Sequence, residues 1–161
     1  MQILKRSLAA ALVVCSAAAA SAQPKAPDFN GQWELNVAKS DFGPMAQQAP
    51  TTASMTVTQS ATSIKLVQAV STPMGDQNQT QELALDGQER TMPGMDGEPA
   101  TSAAKVEGDA MVVNTKMSRQ GADITMTSRW TLSPDGKSLT VARDIATPMG
   151  ALTMKLVYDK K

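Results

Sequence analysis

The stretch from Glu107 to Tyr158, EGDAMVVNTKMSRQGADITMTSRWTLSPDGKSLTVARDIATPMGALTMKLVY, decides the fold. Apolar and polar residues alternate through Ala110 to Ser118, Ala122 to Leu132, Ser138 to Ile145 and Ala151 to Tyr158, which is the period of a half-buried strand. Glu107-Gly108-Asp109 and Pro134-Asp135-Gly136 are turn vocabulary, short enough for tight hairpins. Four strands joined this way form an antiparallel meander. Upstream, the same pattern recurs near Gln32 to Val37, Ser54 to Gln59, Ser63 to Val70, Gln77 to Leu85 and Thr101 to Val106. The fold class is therefore all-β, an antiparallel up-and-down meander of about nine strands. Two stretches resist the pattern: Lys39 to Pro50, and Gln88 to Pro99 with its Met92-Pro93-Gly94-Met95-Asp96-Gly97 loop. Each is expected to cover an end of the sheet.

An internal echo supports the meander. Residues 62–75, TSIKLVQAVSTPMG, align without a gap on 137–150, KSLTVARDIATPMG, and a third copy begins at Glu107. Both full copies run from a strand into Thr-Pro-Met-Gly, where proline fixes one turn dihedral and glycine supplies the permissive one.

Alternation then sorts side chains into faces. Ile64, Leu66 and Val70 share a face with Gln68; Met111, Val113 and Met117 with Thr115; Leu139, Val141 and Ile145 with Arg143. Leu152, Met154, Leu156 and Tyr158 line another strand, and Ile124, Met126, Ser128, Trp130 and Leu132 a further one. The interior is apolar with a few polar groups. Among these, an inward Arg143 must meet an acid, a ring face, water or an anionic ligand, because an unpartnered buried guanidinium is costly.

The N-terminus reads as a secretory signal over residues 1–22: Lys5 and Arg6, an apolar run from Leu8 to Val14, then Ala20-Ser21-Ala22. Residues 23–30 are Pro-rich and expected to be loose, leaving 31–161 as one β domain. Removing the signal takes 161 residues to 139 and the basic count from 15 to 13 against 15 acidic ones, a net charge of about −2. With no basic tract, nucleic acid and anionic surfaces are poor partners, and no apolar run is long enough for a transmembrane helix. The expected location is periplasmic or secreted. Such a compartment favours disulfides, yet the sole cysteine, Cys15, falls in the signal and there is no histidine.

Those absences remove the commonest catalytic bases, thiol nucleophiles and metal ligands together. An enzyme would have to rely on Tyr158, lysines or carboxylates such as Asp86, Asp96 and Glu98, and acids beside glycines usually mark solvated turns. No catalytic residue, metal site or cofactor is expected. A Cu(I) site is the weaker alternative: thioethers suit Cu(I), but Met92 and Met95 supply two ligands only.

Gly31-Gln32-Trp33-Glu34-Leu35-Asn36, Lys39-Ser40-Asp41-Phe42-Gly43-Pro44 and the run from Trp130 to Leu139 resemble a group of small secreted bacterial lipocalin-like, calycin-type β-barrel proteins. The resemblance implies a lipocalin-like barrel or strongly curved sheet, in which Trp33 closes one end and an arginine from a late strand, Arg143 or Arg129, packs over its ring. In outline the chain is also similar to fatty-acid-binding proteins, whose interior arginines and a tyrosine hold a carboxylate. It departs from them in two places. Lys39 to Pro50 is too rich in Pro, Gly and Gln for a helical lid, and the last strand has Leu156 where an Arg-x-Tyr pair needs arginine.

The functional expectation is an exported protein binding a small apolar or amphipathic molecule, with Arg143, Tyr158, Gln68, Thr115 and Trp33 as contact residues. The alternative is a barrel filled by its own side chains and serving as a structural or interaction protein.

Overall fold

The computed structural model describes residues 27–94, 98–119 and 121–161; the expected signal lies outside them. Ten antiparallel strands form β1 (Gly31–Leu35), β2 (Thr52–Gln59), β3 (Ser63–Thr72), β4 (Gly75–Ala84), β5 (Arg90–Pro93), β6 (Pro99–Glu107), β7 (Ala110–Arg119), β8 (Ala122–Leu132), β9 (Ser138–Thr147) and β10 (Gly150–Lys160). Their order is β4-β3-β2-β1-β10-β9-β8-β7-β6-β5. Every neighbouring pair but one is also consecutive in sequence, and the exception joins the first strand to the last. The sheet curls into a half-barrel whose edges are β4 and β5, confirming the all-β meander with one strand more than expected.

That extra strand, β5, lies in the stretch from Gln88 to Pro99 that resists the alternating pattern, and takes in the start of its expected loop; Met95, Asp96 and Gly97 fall outside the described residues. Among the described residues it pairs only with β6, Met92 facing Ala100 and Pro93 facing Pro99. An edge strand tolerates proline because one side of its ladder has no partner. At one end the chain leaving β4 nevertheless closes on β6, beside the short β5: Asp86 bridges to Lys105 and the Gly87 N–H donates to the Ala104 carbonyl at 2.9 Å.

The inward faces differ along the barrel axis. At the end where β1, β3, β7 and β9 begin, Phe29, Ile64, Met111 and Leu139 are fully buried and Trp33 and Val141 nearly so. Phe29 meets Trp130 edge to face, ring centroids 6.1 Å apart, and its carbonyl accepts from the Trp33 indole at 2.9 Å. The segment expected to be loose is thus held over residues 27–30, where the Phe29 N–H also donates to Gln59 Oε1. Toward the hairpins Thr72–Gly75 and Thr147–Gly150, the same inward positions become half-buried: Val70, Met117, Ile124, Met126, Ile145, Leu152 and Met154. One end is packed and the other is open.

Gly31 explains the Gly-x-Trp sequence. Lys160 lies opposite Trp33 across β1 and β10, and its ammonium sits 5.2 Å from the ring centroid. A β-carbon on Gly31 would approach Lys160 Cε to 2.8 Å, at a φ of +136°. The cation over Trp33 is therefore Lys160, which corrects the expectation of Arg143 or Arg129. Arg129 points outward, 3.6 Å from Glu107.

After β1 the chain forms two 3-10 helices, Val37–Lys39 and Gly43–Gln48, in place of a helical lid. It follows β10 closely: the Asn36 N–H donates to the Val157 carbonyl at 2.8 Å, and Asp41 and Lys155 exchange two backbone bonds of 2.7 Å. Phe42 turns inward and joins the core. Gly43 has φ +53°, and a β-carbon there would stand 2.6 Å from the Thr153 carbonyl oxygen. Only glycine permits so close an approach at that dihedral. Asp159 pins the segment from the side, accepting from Asn36 Nδ2 (2.6 Å), Lys39 Nζ (3.2 Å) and Ser138 Oγ (3.1 Å). These bonds hold its carboxyl below the ordinary range, Asn36 contributing most.

Candidate functional site

The open half of the barrel is lined by the inward residues of β7 to β10. Register fixes who faces whom: Arg143 on β9 lies opposite Ser128 on β8 and Met154 on β10. Val141 and Leu156 form the next inward pair toward the packed end, and Leu139 and Tyr158 the one after. Arg143 and Tyr158 therefore share the inner face, two rungs apart, with Leu156 between them along the strand. Burial raises the Tyr158 hydroxyl pKa, and the positive charge of Arg143 partly offsets that rise. Tyr158 stays a neutral hydroxyl, able to donate.

Arg143 is the interior group with an unmet demand. Its Nε is buried and has no hydrogen-bond partner among the described residues, and no carboxylate there lies within ion-pair distance of it. A buried donor without an acceptor costs about 1–3 kcal/mol. An anion, or water, at this point would supply the missing acceptor.

The other polar positions of the repeat are spoken for. Thr115 exchanges a 2.8 Å hydrogen bond with Ser102 on β6, both buried. Gln68 on β3 donates to the Met55 sulfur at 3.2 Å. Trp33 is only 1% exposed and belongs to the closed end rather than to the open half. The sequence thus assembles Arg143 and Tyr158 in one place, with Ser128 beside them, a neighbour that alternation put on the inner face without suggesting a role. Gln68 and Thr115 occupy the same depth already bonded to protein. Alternation gives depth and face but not partners, since those depend on cross-strand register.

Along the seam between β4 and β5 a small cavity of about 110 Å³ is bordered by Leu83, Arg90, Met92, Ser102 and Ala104. Its one guanidinium is already held: Arg90 donates both terminal nitrogens to Asp86 at 2.7 Å, which keeps the Asp86 carboxyl far below its usual pKa. Met92 accepts from Gln81 Nε2 at 3.5 Å. Asp96 and Met95, the other members of the acidic and thioether groupings, lie outside the described residues.

Solved structures with this fold are similar in shape and distant in sequence. Zebrafish ileal bile acid-binding protein, solved with cholic acid, is 16% identical, with 83% of this chain and 98% of that one covered at a TM-score of 0.58. A secretory abundant heat soluble protein of Ramazzottius varieornatus is 12% identical over 84% and 96%, TM-score 0.59. Lipid binding protein 8 of Caenorhabditis elegans is 10% identical over 83% and 95%, TM-score 0.55. No family model and no curated protein sequence matches the chain. The likeness establishes a fold of the fatty-acid-binding, calycin-like kind.

Proposed function

We propose that this chain is an exported protein that binds a small amphipathic anion. The acidic group sits at Arg143, and the apolar body lies along Met126, Ile145, Leu152 and Met154. The observation that carries the reading is the buried, unpartnered Arg143 Nε on the inner face. Supporting it, the inward apolar residues at the hairpin end stay half-buried; an inner-face side chain keeps that exposure only where the barrel is not filled by its own atoms. The fold neighbours named as bile acid-binding and lipid binding proteins agree with an acidic, largely apolar ligand. The hydroxyls of Tyr158 and Ser128 complete the polar end. Export is supported by the Lys5-Arg6 start, the apolar run and Ala20-Ser21-Ala22.

The test is fluorescence titration with dansylaminoundecanoic acid and its methyl ester, on wild type and Arg143→Leu. A hydrogen bond to a charged group is worth about 1.5–3 kcal/mol, so the variant should bind the acid roughly 10 to 150 times more weakly and the ester unchanged. Equal binding of the acid by both proteins would remove Arg143 from the site.

A further inference from the structure

Among the described residues, the most exposed large apolar side chains are Met149 at 98% and Met74 at 85%. They hold the same place in the two copies of Thr-Pro-Met-Gly. The copies are also built identically. Thr72 Oγ1 donates to the Gly75 carbonyl at 3.0 Å and accepts from the Met74 N–H at 3.2 Å; Thr147 Oγ1 does the same with Gly150 at 2.9 Å and Met149 at 3.2 Å. Gly75 and Gly150 have φ values of +127° and +133°. A single exposed methionine is ordinary. Two at equivalent positions, each held out by the same pair of threonine hydrogen bonds, form a pair of prongs.

Both prongs stand at the open end of the barrel. Four strand spacings separate the β3–β4 tip from the β9–β10 tip in the sheet order, about 19 Å along the curl. The chain running into the first tip, Leu66 to Gly75, is uncharged and Asp76 follows directly on the way out; at the second tip the chain is uncharged on both sides, Ile145 to Met154. Separate tips present no continuous apolar patch of the size a protein interface needs. A lipid surface accepts isolated apolar side chains one at a time, and the uncharged Thr-Pro-Met-Gly turns let each methionine enter it without carrying an ion along.

We propose that the open end docks on an uncharged lipid surface by inserting Met74 and Met149. Docked this way, the hairpin end of the barrel faces the bilayer. The docking does not depend on Arg143, which lies deeper in the barrel.

Sedimentation with sucrose-loaded phosphatidylcholine vesicles tests it, using wild type, Met74→Gln/Met149→Gln and Arg143→Met. Each methionine is exposed, so the double variant should keep the thermal midpoint of wild type. Expected are vesicle binding by wild type, a loss of at least about tenfold in the double variant, and wild-type binding by Arg143→Met. The proposal is overturned if wild type stays in the supernatant or if the double variant sediments like wild type. It is equally overturned if binding requires anionic lipid and vanishes with salt, or requires a protein embedded in the vesicles.

Discussion

Replacing Arg143 by methionine separates the fold's interest from the site's. Methionine keeps the length and flexibility of the side chain while removing the charge and every donor. Among the described residues the Nε has no partner, and leaving a buried donor unmet costs about 1–3 kcal/mol. The guanidinium is not wholly buried, so the lower part of that range applies, about 1 kcal/mol recovered by the variant. For a domain of this size each kcal/mol moves the thermal midpoint by about 2–5 °C. Arg143→Met should therefore melt a few degrees above wild type without ligand, in calorimetry at neutral pH. Adding dodecanoate should raise the wild-type midpoint and leave that of the variant nearly still, because ligand stabilisation follows the affinity that Arg143 supplies. A variant that melts below wild type by several degrees, or that dodecanoate stabilises equally, would refute the reasoning: the first would show Arg143 to be a structural support, the second a bystander.

Other perturbations test the frame around the site. Gly43→Ala must place a β-carbon against the Thr153 carbonyl at 2.6 Å and at φ +53°; we expect a loss of about 2 kcal/mol in urea unfolding and faster hydrogen exchange at the Asp41 and Lys155 amides. Trp130→Ala, which strips the packed end of the ring meeting Phe29, should cost about 3–5 kcal/mol by the same assay. Tyr158 has a folded pKa raised chiefly by burial. The unfolded chain therefore loses this proton first, and stability should fall as pH rises past about 10, a fall that Tyr158→Phe should reduce. Asp159 is the opposite case: its pKa is lowered by Asn36, Lys39 and Ser138, so its stabilisation is present above the ordinary aspartate range and lost as pH falls through the lowered value. Asp159→Asn should flatten that part of the acid-unfolding curve.

The sequence was legible where neighbours in the chain are neighbours in the sheet. Alternation placed Arg143, Tyr158 and Ser128 on one face because β8, β9 and β10 are joined by tight hairpins, and their register follows from the turns. It failed where strands pair across the whole chain. Lys160 reaches Trp33 only because β1 meets β10, so the cation over the ring was sought among arginines instead. The hub at Asp159 joins Asn36, Lys39 and Ser138 by the same closure and left no local pattern. β5 escaped because Met92-Pro93-Gly94 reads as a turn, and proline is acceptable in a strand only when that strand is an edge. Gln68, Thr115 and Arg143 looked equivalent by repeat position; their cross-strand neighbours give two of them hydrogen-bond partners and leave the Nε of the third without one among the described residues.

The central claim is that Arg143 awaits an anion, and the most direct measurement is the 15N–1H resonance of its Nε group during titration with dodecanoate. The account predicts a saturable shift of that resonance with slowed exchange against water, together with movement of the Met126, Ile145, Leu152 and Met154 methyl signals. If those methyl signals move while the Arg143 Nε resonance stays in place, the ligand lies in the open half without using the arginine, and the account is contradicted.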